Sequence, residues 1–207
     1  MLLDADDCQL LLVDYQARLM PAIHEHGLVL HNAVRLGRLA QLFDIPAWGT
    51  EENPEGLGPN VAEVRALCRR TLPKMNFSAV ADGLVEVLRP PAKPQGGNAR
   101  SLPKHLQKKD APPQDARNTI VIAGCETHVC MMQTALDLLD EEFDVYVVTD
   151  ACGSRTERDR DAAFDRLAGS GCELVTTEMV AFEWLRSADH PAFKDALEIV
   201  KGSGDAR

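Results

Sequence analysis

Thr119-Ile120-Val121-Ile122-Ala123-Gly124-Cys125-Glu126-Thr127-His128-Val129-Cys130 decides the architecture of this chain. Ile120 to Ala123 is an unbroken apolar run rich in β-branched residues. Such a run reads as a strand covered on both faces, the habit of parallel sheets. It stops at Gly124, passes through a short polar turn and enters a helix expected over 129–139. Working outward, the same alternation recurs. Strands are expected at Gln9–Val13, Pro46–Gly49, Asp144–Thr149 and Glu173–Thr176. Helices are expected at about 24–43, 61–69, 80–88, 157–168, 177–186 and 191–201. The stretch Leu72–Ser78 reads as neither. Alternating strands and helices predict an α/β fold: a doubly wound, mostly parallel sheet of about six strands with helices on both faces. One domain is expected over 1–207, with no internal repeat.

Residues 89–117 break the pattern. They hold Pro90, Pro91, Pro94, Pro103, Pro112 and Pro113, the pair Gly96-Gly97, and seven basic side chains against two acids. Such a segment buries little apolar area and is expected to be a mobile basic insertion.

The bulk numbers narrow the function. With 207 residues and 45% hydrophobic content, one sizeable core is within reach. A net charge of -10 argues against a phosphate backbone or an anionic membrane as partner. No apolar run approaches the ~18–20 residues that span a bilayer, and Met1–Asp7 has no basic region of a secretory leader. The six cysteines lie scattered among apolar neighbours without metal-binding spacing, which predicts reduced thiols and a cytoplasmic protein.

In open α/β sheets, functional groups gather past the carboxyl ends of strands. Three places qualify: Asp14, the turn 124–130, and Asp150-Ala151-Cys152-Gly153-Ser154-Arg155. Cys130 falls in the first turn of its expected helix, where free N–H groups and the helix dipole favour a thiolate. Its alternative is a small buried hydrophobe. Asp14 follows an apolar strand and is costly to bury without a task; it suits a proton acceptor or a turn cap. Lys74 lies among mostly apolar neighbours and suits a counter-ion to both, or a solvated surface position. His128 precedes Cys130 by two, a spacing at which helical side chains diverge. Cys125 and Cys152 read as packing residues, and Asp150 and Arg155 as a loop-holding pair. Met20, Trp48, Phe77 and Met131 are candidates for apolar pocket walls, and equally for core.

With Asp14, Lys74 and Cys130 assembled, the chain resembles the isochorismatase-like cysteine hydrolases, which include nicotinamidases and N-carbamoylsarcosine amidases. The carrying motifs are Leu11-Leu12-Val13-Asp14-Tyr15-Gln16, Pro73-Lys74-Met75-Asn76-Phe77-Ser78, the run 123–130 and the run 150–155. Within the class it looks closest to a subgroup, mostly of unknown substrate, marked here by Thr50-Glu51-Glu52-Asn53-Pro54-Glu55-Gly56-Leu57-Gly58-Pro59. The resemblance implies a triad of Asp14, Lys74 and Cys130, a cis peptide at Cys125–Glu126, an oxyanion held by the backbone amides of Glu126 and Cys130, and a homo-oligomer. It implies thioester chemistry on a small amide-like C–N bond, with no cofactor. Nicotinamidase-type relatives bind a metal through histidines near the second strand. This chain has no histidine between His31 and His105, so no metal site is expected. Three rival readings stand beside this one: vinyl ether hydrolysis, which needs no thiol; a non-catalytic member of the fold; and redox sensing by Cys130 with Cys125 or Cys152 as resolving thiol.

Overall fold

The chain forms one six-stranded parallel sheet in the order β3-β2-β1-β4-β5-β6. The structure is a computed structural model and describes residues 1–90 and 117–202. The basic insertion expected at 89–117 therefore lies outside the described residues, apart from its ends. Those ends are pinned. Arg89 stacks 3.6 Å over the Phe143 ring and donates to the Glu141 and Glu142 carbonyls. Arg117 donates to the carbonyls of Ala5 and Cys8.

The strands are β1 (Cys8–Val13), β2 (Ala47–Glu52), β3 (Arg70–Lys74), β4 (Thr119–Gly124), β5 (Asp144–Val148) and β6 (Glu173–Val175). The helices are α1 (His26–Leu42), α2 (Pro54–Leu57), α3 (Ala62–Arg65), α4 (Leu84–Leu88), α5 (Met132–Asp140), α6 (Glu157–Ser170), α7 (Thr177–Leu185) and α8 (Phe193–Lys201). α1 packs with α7 and α8, while α5 packs with α6. All six positions of β1 and of β4 are buried, as the continuous apolar runs require.

Strand order reverses between β1 and β4, which run side by side from Cys8↔Thr119 to Val13↔Gly124. Gly124 is needed there: a Cβ on it would lie 2.5 Å from both the Cβ and the carbonyl oxygen of Val13. This crevice at the carboxyl ends is where α/β sheets place their chemistry.

Several elements differ from expectation, among them the helix expected over 61–69, which spans only Ala62–Arg65, and a short helix at Pro54–Leu57 where none was expected. β2 continues past Gly49 to Glu52. Its polar end is buried because each side chain finds a partner: Thr50 donates to Asp14, Glu51 accepts from the Asn60 amide, and Glu52 pairs with Lys74. Arg70–Lys74 is a strand, the sheet's edge, and extended backbone is what Pro73 imposes on the residue before it. The helix expected over 80–88 is cut by Gly83 at φ +90°. The helix expected to begin at Val129 opens instead with a π-turn, Thr127–Met131, in which the Met131 amide donates to the Glu126 carbonyl five residues back.

Candidate active site

Asp14 leaves β1 with φ +54°, a left-handed conformation that Asp tolerates at a cost of about 1 kcal/mol or more. The turn folds its carboxylate inward, where it is fully buried. Thr50 Oγ1 donates to Oδ1 at 2.7 Å. Lys74 Nζ approaches Oδ2 to 2.8 Å, close enough for an ion pair but off the angle of a hydrogen bond. Oδ2 is thus left able to accept a proton from elsewhere.

Lys74 ends β3 and its ammonium is completely enclosed. It lies 2.7 Å from Glu52 Oε2 and donates to the carbonyls of Phe77 at 3.1 Å and Asn76 at 3.3 Å. Burial would lower its pKa, but the Asp14 and Glu52 carboxylates outweigh burial and hold it above the ordinary lysine value. The loop 75–78 thus wraps the ammonium with its backbone.

Cys130 sits in the π-turn, 6% exposed. Its Sγ and carboxylate oxygens of Asp14 and Glu52 all lie within 4.8 Å of one another. Burial pushes its thiol up to about 12, and the two carboxylates add to the rise while Lys74 opposes it. Helix position alone points to a lowered pKa; burial and the two carboxylates act in the other direction here. The peptide bond Cys125–Glu126 is cis.

Three strands and a turn thus bring together Asp14, Lys74 and Cys130, and they add Glu52, which the sequence reading missed. Gln16 secures Glu52: its side-chain amide accepts from the Glu52 amide and donates to the Glu52 carbonyl, both at 2.9 Å. The signal was present in the rule that strand ends carry function. It was hidden because Thr50-Glu51-Glu52 reads as loop until its partners are known. Asp14, Glu52 and Cys130 have the composition of a cation site, and the Lys74 ammonium already stands between the two carboxylates.

The other candidates take varied positions. Met20 is buried with its Sδ 3.8 Å from Cys125 Sγ, and Met131 is fully buried. Trp48 lies near the start of β2, its indole donating to Gln9 Oε1. Four residues of strand put it about 13 Å from Glu52, so it does not wall this site. Phe77 is 53% exposed, beside Met75 on the loop that wraps Lys74. Asp150 and Arg155 do not pair. Asp150 accepts from the Thr177 amide and hydroxyl, and Arg155 binds Glu126 at 2.7 Å. His128 Nδ1 lies 2.9 Å from Ser154 Oγ. Two cavities, of about 250 and 320 Å³, are lined by other residues.

The isochorismatase-domain model matches residues 100–179. Isochorismatase domain-containing protein 2A of Mus musculus is 36% identical over 192 residues, covering 93% of this chain and 82% of its own. The chain belongs to the isochorismatase-domain family. Isochorismatase domain-containing protein 2 of Xenopus laevis is likewise 36% identical, over 92% of this chain and 82% of its own. Among solved structures, the YcaC gene product of Escherichia coli, described as an octameric hydrolase of unknown specificity, superposes with a TM-score of 0.76 at 27% identity. That match covers 98% of this chain and 96% of the other. The MAR1 ribonuclease of Caenorhabditis elegans shares the fold with a TM-score of 0.81 at 24% identity, over 100% and 95%. The family's hydrolase fold is therefore this chain's fold.

Proposed function

We propose that the chain is a cysteine hydrolase that cleaves a small amide-like C–N bond through a thioester on Cys130. One observation carries the reading: a thiol, a buried carboxylate with an accepting oxygen, and an enclosed ammonium share one cluster at the sheet's switch point. A scaffold would gain nothing from burying these groups together, since their desolvation is costly.

The thiol is neutral at rest, so Asp14 accepts its proton as sulfur attacks the carbonyl carbon. The S–C bond forms and the carbonyl oxygen gains charge, which the backbone amides of Glu126 and Cys130 are placed in sequence to receive. Lys74 stays charged and offsets the negative charge passing between sulfur and Asp14. Asp14 then gives the proton to the leaving nitrogen and the C–N bond breaks. Water attacks the thioester, loses a proton to Asp14 and releases the acid, and that proton returns to sulfur.

The substrate is a small molecule, and no cofactor enters these steps. A homo-oligomer is in keeping with the octameric relative. All six cysteines are free, which favours a reducing, cytoplasmic setting. No helix among the described residues is long and apolar enough to cross a membrane. Residues 1–207 are read as one domain.

The test is ammonia release from a panel of primary amides and ureido compounds by wild type, Cys130→Ala and Asp14→Asn. Either variant should lose more than about a hundredfold in kcat while keeping its melting temperature within a few degrees. Full turnover by Cys130→Ala would remove the nucleophile from the scheme.

A further inference from the structure

The cluster has one carboxylate more than its charge balance requires. With both carboxylates ionised, Lys74 as ammonium and Cys130 as thiol, it carries one net negative charge. The two carboxylates are not equivalent. Asp14 is sealed, its side chain 0% exposed. Glu52 keeps 12% of its side chain exposed and binds Lys74 through Oε2 only. Among the described residues, Oε1 has no hydrogen-bond partner, and it is not among the buried polar atoms left without one. A carboxylate oxygen of Glu52 lies within 4.8 Å of the Cys130 sulfur, so this partly exposed carboxylate stands beside the thiol.

The surroundings offer little to an anion. Arg155, the cation on the neighbouring strand-end loop, has its Nε on Glu126. Lys74 is enclosed by its three hydrogen-bond acceptors and its ion-pair partner Asp14. The loop that wraps it turns two apolar side chains outward, Met75 at 67% and Phe77 at 53% exposure. The whole chain carries -10. A second anion brought beside Cys130 would be repelled at low dielectric, where such repulsion is strong. A donor would be attracted, because charge-assisted hydrogen bonds to a carboxylate are the strong ones.

We infer that Glu52 is a specificity-determining residue: its free carboxylate oxygen receives an N–H of the substrate beside the reacting carbon, selecting neutral or cationic N–H-bearing groups (carboxamide, ureido, amidine) against carboxylates. The inference rests on Cys130 as the reacting thiol.

Three probes of one shape, benzamide, benzamidine and benzoate, separate the possibilities, with the ring free to lie against Met75 and Phe77. Each is added at equal concentration while Cys130 is alkylated by iodoacetamide at mildly alkaline pH and quantified by peptide mass mapping. Benzamidine should protect Cys130 best and benzamide next, while benzoate should slow labelling less than about twofold. In Glu52→Gln, which keeps the shape and the Gln16 contacts, the advantage of benzamidine over benzamide should fall about tenfold, the loss of one charge-assisted bond. Equal protection by all three probes, or by none, would overturn the inference, and so would an unchanged ratio in the variant. The order of protection in wild type needs no variant, so a poorly folding Glu52→Gln does not shelter the idea. If iodoacetamide fails to label Cys130 in the absence of any probe even as pH is raised toward about 11, the nucleophile reading falls first and takes this inference with it.

Discussion

Cys130, the proposed nucleophile, sits where burial favours the neutral thiol. Its position after a strand and before a helix was legible in the sequence, and so were Asp14 and Lys74. Its protonation state was not, because that depends on two carboxylates contributed from residues 14 and 52 and on the depth at which the turn is buried. The consequence is measurable. A thiol pushed up to about 12 stays protonated at neutral pH, so its alkylation should quicken about tenfold per pH unit and still be rising near pH 11. A plateau near pH 8 would mean that a thiolate forms readily and that Asp14 need not act as base. Glu52 was missed for a related reason: its burial is intelligible only once Lys74 is known to lie beside it.

At the scale of elements, strands with unbroken apolar runs announced themselves, and β1, β4 and β5 lie close to where their side chains require. The elements that escaped are held by something other than their own residues. The end of β2 is polar but paired. The π-turn depends on the Thr127 amide reaching the Gly153 carbonyl at 2.8 Å, a contact between loops from two strands. Gly124 marks where such detail decides stability. Gly124→Ala would drive a methyl into Val13 at 2.5 Å, against backbone as well as side chain. The crevice would have to open beside Asp14. We expect a loss of about 1–3 kcal/mol in stability by denaturant titration. Labelling of Cys130 should change as well, since the π-turn follows directly. A variant with the melting curve of wild type would show that β1 and β4 are looser here than they look.

Across the whole molecule, the alternation of strands and helices was enough to foresee the doubly wound sheet, while strand order was not readable because it is set by crossovers and not by residues. A property spread over the whole core is its set of buried and half-buried thiols. Burial pushes Cys8 and Cys172 to about 11 and Cys68 and Cys152 to about 12, all from an ordinary 9.0. A thiol with a raised folded pKa contributes fully below 9.0, and its contribution is lost as pH rises toward the folded value. Each fully buried one should cost about 1.4 kcal/mol per pH unit in that window. The melting temperature should therefore fall steeply above pH 9, and less steeply in Cys152→Ala. A melting temperature level from pH 8 to about pH 10.5 would contradict this. The spatial order of the strands carries one more consequence. Lys74 and Glu52 end β3 and β2, Asp14 follows β1 and Cys130 lies in the turn after β4, four neighbours across the sheet. On the ribosome they emerge as Asp14, Glu52, Lys74 and last Cys130, and β4 must return across more than a hundred residues to lie against β1. A nascent chain thus carries its acids and its ammonium without that sulfur, and under the proposed mechanism it could do no chemistry on its surroundings, or on itself, until β4 and the turn after it have been translated and have closed.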